Sequence, residues 1–170
     1  NNDAIQITDT ESLTSFDSDG FTVGSASLVN TNTANYRAWN WLAAGLTTGA
    51  TNNEGATTSY VSANPTAGFS IVLYTGTGSS TTIGHGLSGT PGMVIVKSIT
   101  TVYAWKMVHQ WFTSGTYYMD LSTDSYEANG SAYFGAFPGA TSFTIGTENS
   151  TNESGKSFVA YCFAPIPGFS

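Results

Sequence analysis

Phe69-Ser70-Ile71-Val72-Leu73-Tyr74-Thr75 is the stretch that decides the fold class. Its β-branched and aromatic residues favour an extended strand, and Gly68 and Gly76 indicate a turn at each end. Comparable runs recur along the whole chain, and no window of twelve residues keeps a helical period. The sequence therefore predicts an all-β protein with about eleven short strands.

Polar turns rich in Gly, Pro, Asn and Ser separate the predicted strands. The strands cover residues 4–8, 20–24, 36–43, 69–75, 81–84, 93–99, 102–112, 116–121, 131–136, 142–146 and 156–164. Short strands at this spacing are typical of β-sandwiches. We therefore expect one domain over residues 1–170, a two-sheet antiparallel β-sandwich of the jelly-roll or concanavalin type with little or no helix.

Alternation along the two longest aromatic runs assigns their faces. In residues 102–112, the face expected to be the core side carries Tyr103, Trp105, Met107, His109 and Trp111. In residues 36–42, Trp39 and Trp41 share a face with Arg37, and the opposite face is also fairly apolar. Such two-sided strands are expected where one face lines the core and the other is buried against a partner subunit.

The composition excludes several classes of function. Only 9% of the residues are charged, four Lys and Arg against eleven Asp and Glu, which gives a net charge of −7. A chain with so few cations cannot neutralise a row of phosphates or bind an anionic membrane. The longest apolar runs, such as Met93-Val94-Ile95-Val96, are far too short to span a bilayer. Nucleic acid and membrane insertion are therefore not expected.

The first residue and the single cysteine carry further expectations. The chain begins at Asn1 with neither an initiator Met nor a signal-peptide pattern, so we expect processing or excision from a longer protein. Cys162 excludes an intrachain disulfide and any multi-cysteine zinc site. It lies in an apolar strand without a basic sequence neighbour, which predicts a buried, inert thiol.

The acidic and histidine residues predict no catalytic site. A glycosidase needs two carboxylates facing one substrate. Asp120, Asp124 and Glu127 are the only acidic cluster with strand spacing, but the cluster has the composition of a solvated hairpin tip. His85 and His109 are expected to be a loop residue and a core or interface residue, because no Gly-x-Ser-x-Gly motif is present.

Cofactor signatures are equally weak. Asp17-Ser18-Asp19-Gly20 resembles the start of a calcium loop but lacks the later acidic positions, so a plain Asp-Gly turn is predicted. Calcium could still bind through backbone oxygens, although nothing in the sequence selects it. Gly76-Thr77-Gly78-Ser79-Ser80 has no Lys and no following helix, and predicts a hairpin loop instead of a phosphate site. We expect no cofactor and no metal.

An internal repeat organises the chain. Phe21-Thr22-Val23-Gly24 recurs as Phe143-Thr144-Ile145-Gly146, and residues 21–43 align without a gap on residues 143–165. Asn30 falls on Asn152, and the aromatic run at residues 36–42 falls on residues 158–164. The chain is therefore expected to be one phase of a repeated module.

These same stretches resemble a known family. Ser15-Phe16-Asp17-Ser18-Asp19-Gly20-Phe21-Thr22-Val23-Gly24 and Ala38-Trp39-Asn40-Trp41 are similar to a repeated domain of tailed-phage virion proteins, especially phages of marine bacteria. The resemblance extends over residues 61–76, 83–87, 91–97 and 158–164. It implies a concanavalin-type sandwich in a tail fibre or other virion structural protein, and it brings no catalytic residues.

The function expected from these patterns is passive. The chain would be a virion structural module on the particle surface, in contact with other virion proteins. It would assemble as a homo-oligomer, most simply a trimer, and its outer surface would bind host-surface glycans. Glycan or subunit contacts are predicted at Trp39, Trp41, Trp111, Tyr117 and Tyr118, because aromatic faces stack on sugar rings and fill interfaces. Two alternatives stay open: a capsid decoration or architectural protein without a ligand, and a polysaccharide-degrading enzyme.

Overall fold

Antiparallel β-structure dominates the protein. A computed structural model describes residues 4–44, 49–123 and 125–167, and within these ranges the chain forms twelve strands and two four-residue helices. The strands are β1 Leu13–Phe16, β2 Phe21–Val23, β3 Ala50–Asn52, β4 Ser59–Asn64, β5 Phe69–Thr75, β6 Thr81–Gly84, β7 Met93–Ser98, β8 Lys106–His109, β9 Tyr117–Asp120, β10 Ala128–Asn129, β11 Ser142–Ile145 and β12 Ser157–Phe163. The helices are α1 Ser27–Asn30 and α2 Asn149–Asn152. The prediction of an all-β sandwich is confirmed.

The chain divides into two compact units. The smaller unit, Gln6–Asn40, contains the β1–β2 hairpin and α1. The larger unit, which continues from Trp41, contains an eight-stranded sheet in the order β10-β9-β8-β7-β12-β5-β4-β3, and a two-stranded sheet of β11 and β6. Within the described ranges, no helix is long and apolar enough to cross a membrane.

The core of the larger unit lies between its two sheets. β5 turns Ser70, Val72 and Tyr74 inward, and β12 places Cys162, Ala160 and Phe158 directly opposite them. The small sheet covers this face with Ile83, Phe143 and Ile145, all fully buried or nearly so. Each such side chain contributes about 2 kcal/mol through loss of contact with water. β12 pairs with β5 on one side and with β7 on the other, so both of its backbone edges are hydrogen-bonded.

A buried asparagine ties the small sheet to the large one. Asn152, at the end of α2, donates from Nδ2 to the carbonyl of Gly146 at 2.6 Å and to the carbonyl of Ser79 at 2.7 Å. Its Oδ1 accepts the backbone N–H of Thr77 at 2.8 Å. One fully buried amide thus links the end of β11, the β5–β6 loop and the entry to β12.

His85 closes the core at the end of β6. Its Nδ1 accepts the backbone N–H of Leu87 at 3.1 Å, so the neutral ring donates from Nε2 to the carbonyl of Gly139 at 3.2 Å. Burial lowers the pKa of His85, and the hydrogen bond to Gly139 opposes this only in part. The expected loop histidine is therefore a fully buried side chain that holds two loops together.

Several predicted strands are absent from the described residues. Residues 4–8 and 36–43 form no strand. Residues 131–136 form turns in which Phe134 reaches the core, so their aromatic content reflected burial and not strand pairing. The prediction at residues 102–112 was too long, since only Lys106–His109 pairs with β7. Four strands were missed, β1, β3, β4 and β10, as were both helices.

The faces predicted for residues 102–112 are reversed. Val108 is fully buried in the core and Lys106 lies on the same side, whereas Met107 and His109 lie half-buried on the opposite face. Lys106 is tolerated there because its Nζ pairs with Asp120 Oδ2 at 2.8 Å and lies about 5 Å from the ring centres of Tyr118 and Tyr133.

Replacing Asn152 with Ala should lower the free energy of unfolding by about 3 kcal/mol, because buried carbonyls and an N–H lose their partner. Asn30, its counterpart in the repeat, is exposed and donates one hydrogen bond, so Asn30→Ala should cost only about 0.5 kcal/mol. Urea unfolding of both variants measures the difference. Equal losses in the free energy of unfolding would show that the Asn152 side chain stabilises the protein no more than the exposed Asn30 does.

His85 should make stability depend on pH. Its folded-state pKa lies below the ordinary value of 6.5, so the unfolded chain binds the proton more readily. The stabilising contribution is complete above pH 6.5 and is lost as the pH falls from 6.5 through the folded-state pKa. Urea unfolding between pH 7.5 and 5 should reveal this decline, and His85→Asn should reduce its slope. An unchanged slope in that variant would refute the assignment.

Candidate functional site

The face of the eight-stranded sheet that points away from the core carries a row of large side chains at one end. Neighbouring strands β5, β12, β7 and β8 place four residues opposite one another in register: Phe69, Phe163, Met93 and His109. Because neighbouring strands lie about 4.8 Å apart, these four residues extend over about 14 Å. We call them, with the tryptophans packed on them, the aromatic row.

Trp41 covers one end of the aromatic row. Its ring lies 5.9 Å from that of Phe69 in a stacked arrangement and 5.4 Å from that of Phe163, edge to face. About half of the Trp41 surface stays exposed. The ring is therefore fixed by two aromatic neighbours and still presents a face outward.

Trp111 projects from the other end of the row. It lies in the turn after β8, and 84% of its surface is exposed. His109 Nδ1 accepts the backbone N–H of Trp111 at 3.2 Å, and the two rings meet edge to face at 5.3 Å. Trp111 is thus braced by its neighbour even though its ring is open to solvent.

A carboxylate is fixed near this turn. Glu127 accepts the backbone N–H of Thr113 at 3.0 Å and its hydroxyl at 2.6 Å, and these bonds lower the pKa of Glu127. Thr113 lies two residues after Trp111 in the same turn. An exposed ring, a fixed carboxylate and polar loop side chains are the groups that hold a neutral polar ligand such as a sugar.

The chain matches, over residues 1–170, a family described as "Domain of unknown function (DUF7483)". The chain belongs to this family. Comparison with curated proteins and comparison with solved structures each gave no match. The family description names no ligand or activity, so the candidate site rests on geometry alone.

The five predicted contact residues lie in different environments. Trp41 and Trp111 are both packed on the aromatic row. Tyr117 lies on the same face as Met119, the partner of Met107, because side chains alternate along β9. Trp39 is 76% exposed and belongs to the smaller unit.

Tyr118 faces the opposite side of the sheet. Its ring stacks on Tyr133 with centres 3.9 Å apart and packs against the core beside Lys106. Burial, together with Tyr118, raises the pKa of Tyr133 to about 12. Tyr118 is thus a packing residue in this unit.

The predicted acidic cluster does not converge on one point. Asp120 pairs with Lys106 on the core side of β9, whereas Glu127 is partly exposed and bound to Thr113. Asp124 lies outside the described residues. Across residues 4–44, 49–123 and 125–167, no three His, Cys, Asp or Glu side chains come together as a metal site would require.

The other predicted polar residues have structural partners. Asp17 accepts hydrogen bonds from the hydroxyls of Ser15 and Thr22, and its N–H bonds to Gly20 across the β1–β2 turn, as expected of an Asp-Gly turn. Cys162 is fully buried, and burial raises its pKa to about 12, which confirms the prediction of a buried thiol.

Sequence reasoning missed Phe69, Phe163 and Met93 as members of the row. Alternation within residues 156–164 separates Phe163 from Phe158 and Ala160, so its position on the outer face was available from the sequence. Which strands stand beside β12 was not available, because β5 and β7 are distant in sequence.

Asp120→Ala should destabilise the protein by about 3 kcal/mol, because Lys106, at 10% side-chain exposure, would lose its ion-pair partner. Lys106→Met combined with Asp120→Leu should recover most of this loss, since an apolar pair of similar size needs no compensation. Glu127→Gln, at a partly exposed carboxylate outside the core, should change stability by less than about 0.5 kcal/mol. Chemical unfolding measures the free energy of unfolding of each variant. An unchanged value for Asp120→Ala would contradict the stabilising role of the ion pair.

Proposed function

We propose that the chain is a structural module of a tailed-phage virion, placed in a tail fibre or similar appendage, and that its aromatic row binds host-surface glycans. The observation that carries the glycan part is Trp111, a braced ring that is 84% exposed at the end of a rigid eight-stranded sheet. Stacking on such a ring needs little ordering of the protein on binding, so more of the contact energy appears as affinity.

The polar surroundings of Trp111 support the same ligand class. Thr113 and Glu127 are already bonded to each other and retain carboxylate lone pairs for sugar hydroxyls. The chain carries only four Lys and Arg residues in all, so an uncharged glycan fits this surface better than a polyanionic one. The placement in a virion rests on the sequence resemblance alone.

A second candidate function is a contact between copies of the module in a homo-oligomer. Tyr60 and Leu73 lie opposite each other on the same outer face, and both are about half exposed. They border an open cleft of about 250 Å³ that is also lined by Thr58, Thr75, Ile99 and Ser157. An apolar sheet face of this kind favours burial against another subunit.

Trp111→Ala should lower binding to host cells or to a glycan array at least tenfold, because an exposed aromatic anchor contributes about 2 kcal/mol or more. The matched control is Phe16→Ala, which removes an equally exposed ring from the smaller unit and should leave binding unchanged.

Light scattering on the same proteins separates the two candidates. Glycan binding that is lost only in Trp111→Ala, with the oligomeric state unchanged, supports the proposal. A parent protein that binds no glycan but dissociates when Tyr60 and Leu73 are replaced by Ser would instead favour the subunit contact.

A further inference from the structure

Two stretches of the chain, 122 residues apart, fold in the same way within their own units. β2 aligns with β11, and α1 at residues 27–30 aligns with α2 at residues 149–152 without a gap. Each helix starts from an extended residue and ends at an extended residue. The match in backbone structure adds to the sequence matches that indicate the repeat.

Three hydrogen bonds of the first stretch have equivalents in the second. Gly24 N donates to Ser12 O, as Gly146 N donates to Tyr133 O, and Ala26 N donates to Glu11 O, as Glu148 N donates to Ala132 O. In these two pairs the acceptor is shifted by one residue from the exact repeat. In the third pair, Asn30 Nδ2 donates to Gly24 O and Asn152 Nδ2 donates to Gly146 O. A Cβ at Gly24 would lie 2.4 Å from the carbonyl oxygen of Glu11, and one at Gly146 would lie 2.2 Å from that of Ala132. Both glycines are therefore required by the same close approach.

The correspondence continues to the start of the next strand. Thr33 has φ of 68° and its counterpart Gly155 has φ of 74°. Thr33 is the one non-glycine residue with a positive φ among those the structure describes. The turns close identically, with Ala34 N bonded to Thr31 O and Lys156 N bonded to Glu153 O, both at 3.1 Å. A threonine in this costly conformation indicates that the turn is needed to direct the chain.

The backbone paths of the two stretches diverge after this turn. After Gly155 the chain enters β12, which pairs with β5 and β7. After Thr33, residues 36–42 form no strand and are largely exposed; within them, Trp41 packs on Phe69 and Phe163, a contact that would have to open for the segment to pair elsewhere. Their apolar pattern is nevertheless that of β12: Tyr36, Ala38, Asn40 and Leu42 align with the core-facing Phe158, Ala160, Cys162 and Ala164, and Trp39 and Trp41 align with the outer Tyr161 and Phe163.

We propose that residues 36–42 form a strand equivalent to β12 in another copy of this module. In that copy they would lie between the strands equivalent to β5 and β7 and would complete its sheet. The copy is one that precedes these residues in the same polypeptide, because β12 comes after β11 and α2 within the module that it completes. A second molecule of this chain cannot offer the position, since its own β12 already pairs on both sides.

The one polar residue on the core-facing side has a partner in that position. Asn40 would replace Cys162, which lies opposite Ser70. The hydroxyl of Ser70 is buried beside the thiol of Cys162. An asparagine at this site can bond to that hydroxyl, so Asn40 does not oppose insertion.

An exchange of equal-length segments tests whether residues 36–42 can act as β12. In the full chain, residues 147–164 are replaced by residues 25–42, which keeps the alignment. The matched control, the slipped exchange, keeps residues 25–35 in the aligned positions and exchanges neighbours pairwise within residues 36–41, which leaves the composition unchanged but moves those six side chains to the other face. We expect cooperative unfolding and an unchanged β-sheet circular dichroism spectrum for the aligned exchange and loss of both for the slipped one.

A second aligned protein separates a failure of the strand position from a failure caused by two polar residues of the inserted segment. The aligned exchange is also made with Val in place of Arg37 and Cys in place of Asn40, which restores the two β12 residues that differ most in polarity. Failure of both aligned proteins to fold, or equal folding of the aligned and slipped proteins, overturns the proposal.

A longer chain tests the partner directly. Residues 49–146 are joined in front of residues 25–170, so that residues 36–42 come after a module lacking its own β12. Hydrogen exchange at the amides of residues 36–42 should become at least about 100-fold slower than in the 170-residue chain, as expected when exposed amides enter a central strand. Unchanged exchange would show that these residues do not complete the preceding module.

Discussion

The side-chain amide of Asn152 is the constraint on which the larger unit depends. Strand pairing alone would leave the small sheet of β6 and β11 attached to the large sheet only by apolar contact, which does not fix orientation. The amide bonds join Gly146, Ser79 and Thr77 at one buried point, so β11, the β5–β6 loop and the entry to β12 have fixed positions relative to one another. α2, which leads into β12, is thereby held against the end of β11 and the β5–β6 loop.

The position of β12 determines which side chains line up on the outer face of the sheet. Because β12 pairs with both β5 and β7, its Phe163 brings Phe69 and Met93 into one line, and Met93 in turn aligns His109. Trp41 and Trp111 lie on the two ends of that line. The candidate site is therefore a product of strand order, and its aromatic residues come from four separate parts of the sequence.

Some of this was predictable from local sequence and some was not. Seven strands were predicted closely, because β-branched and aromatic residues are concentrated there: β2, β5, β6, β7, β9, β11 and β12. β4 was missed because its sequence, SYVSAN, contains small and polar residues that pack against the larger side chains of β5. Lys106 misled the face assignment, since the charge that neutralises it comes from Asp120, fourteen residues away. Trp41, Trp111 and Tyr117 were identified singly, but their common face required the register of five strands.

The central position of β12 has a consequence for synthesis. The sheet cannot close until residues 157–163 have left the ribosome, although β5 and β7, between which they fit, were made far earlier. During that interval the nascent chain holds two unpaired strand edges in its middle, and such edges are prone to pair with the wrong partner. The low charge and the many Ser, Thr and Asn residues leave little electrostatic repulsion to prevent this. Correct folding is therefore helped when β12 is synthesised soon after β7. The number of residues between these two strands sets how long the edges of β5 and β7 stay unpaired.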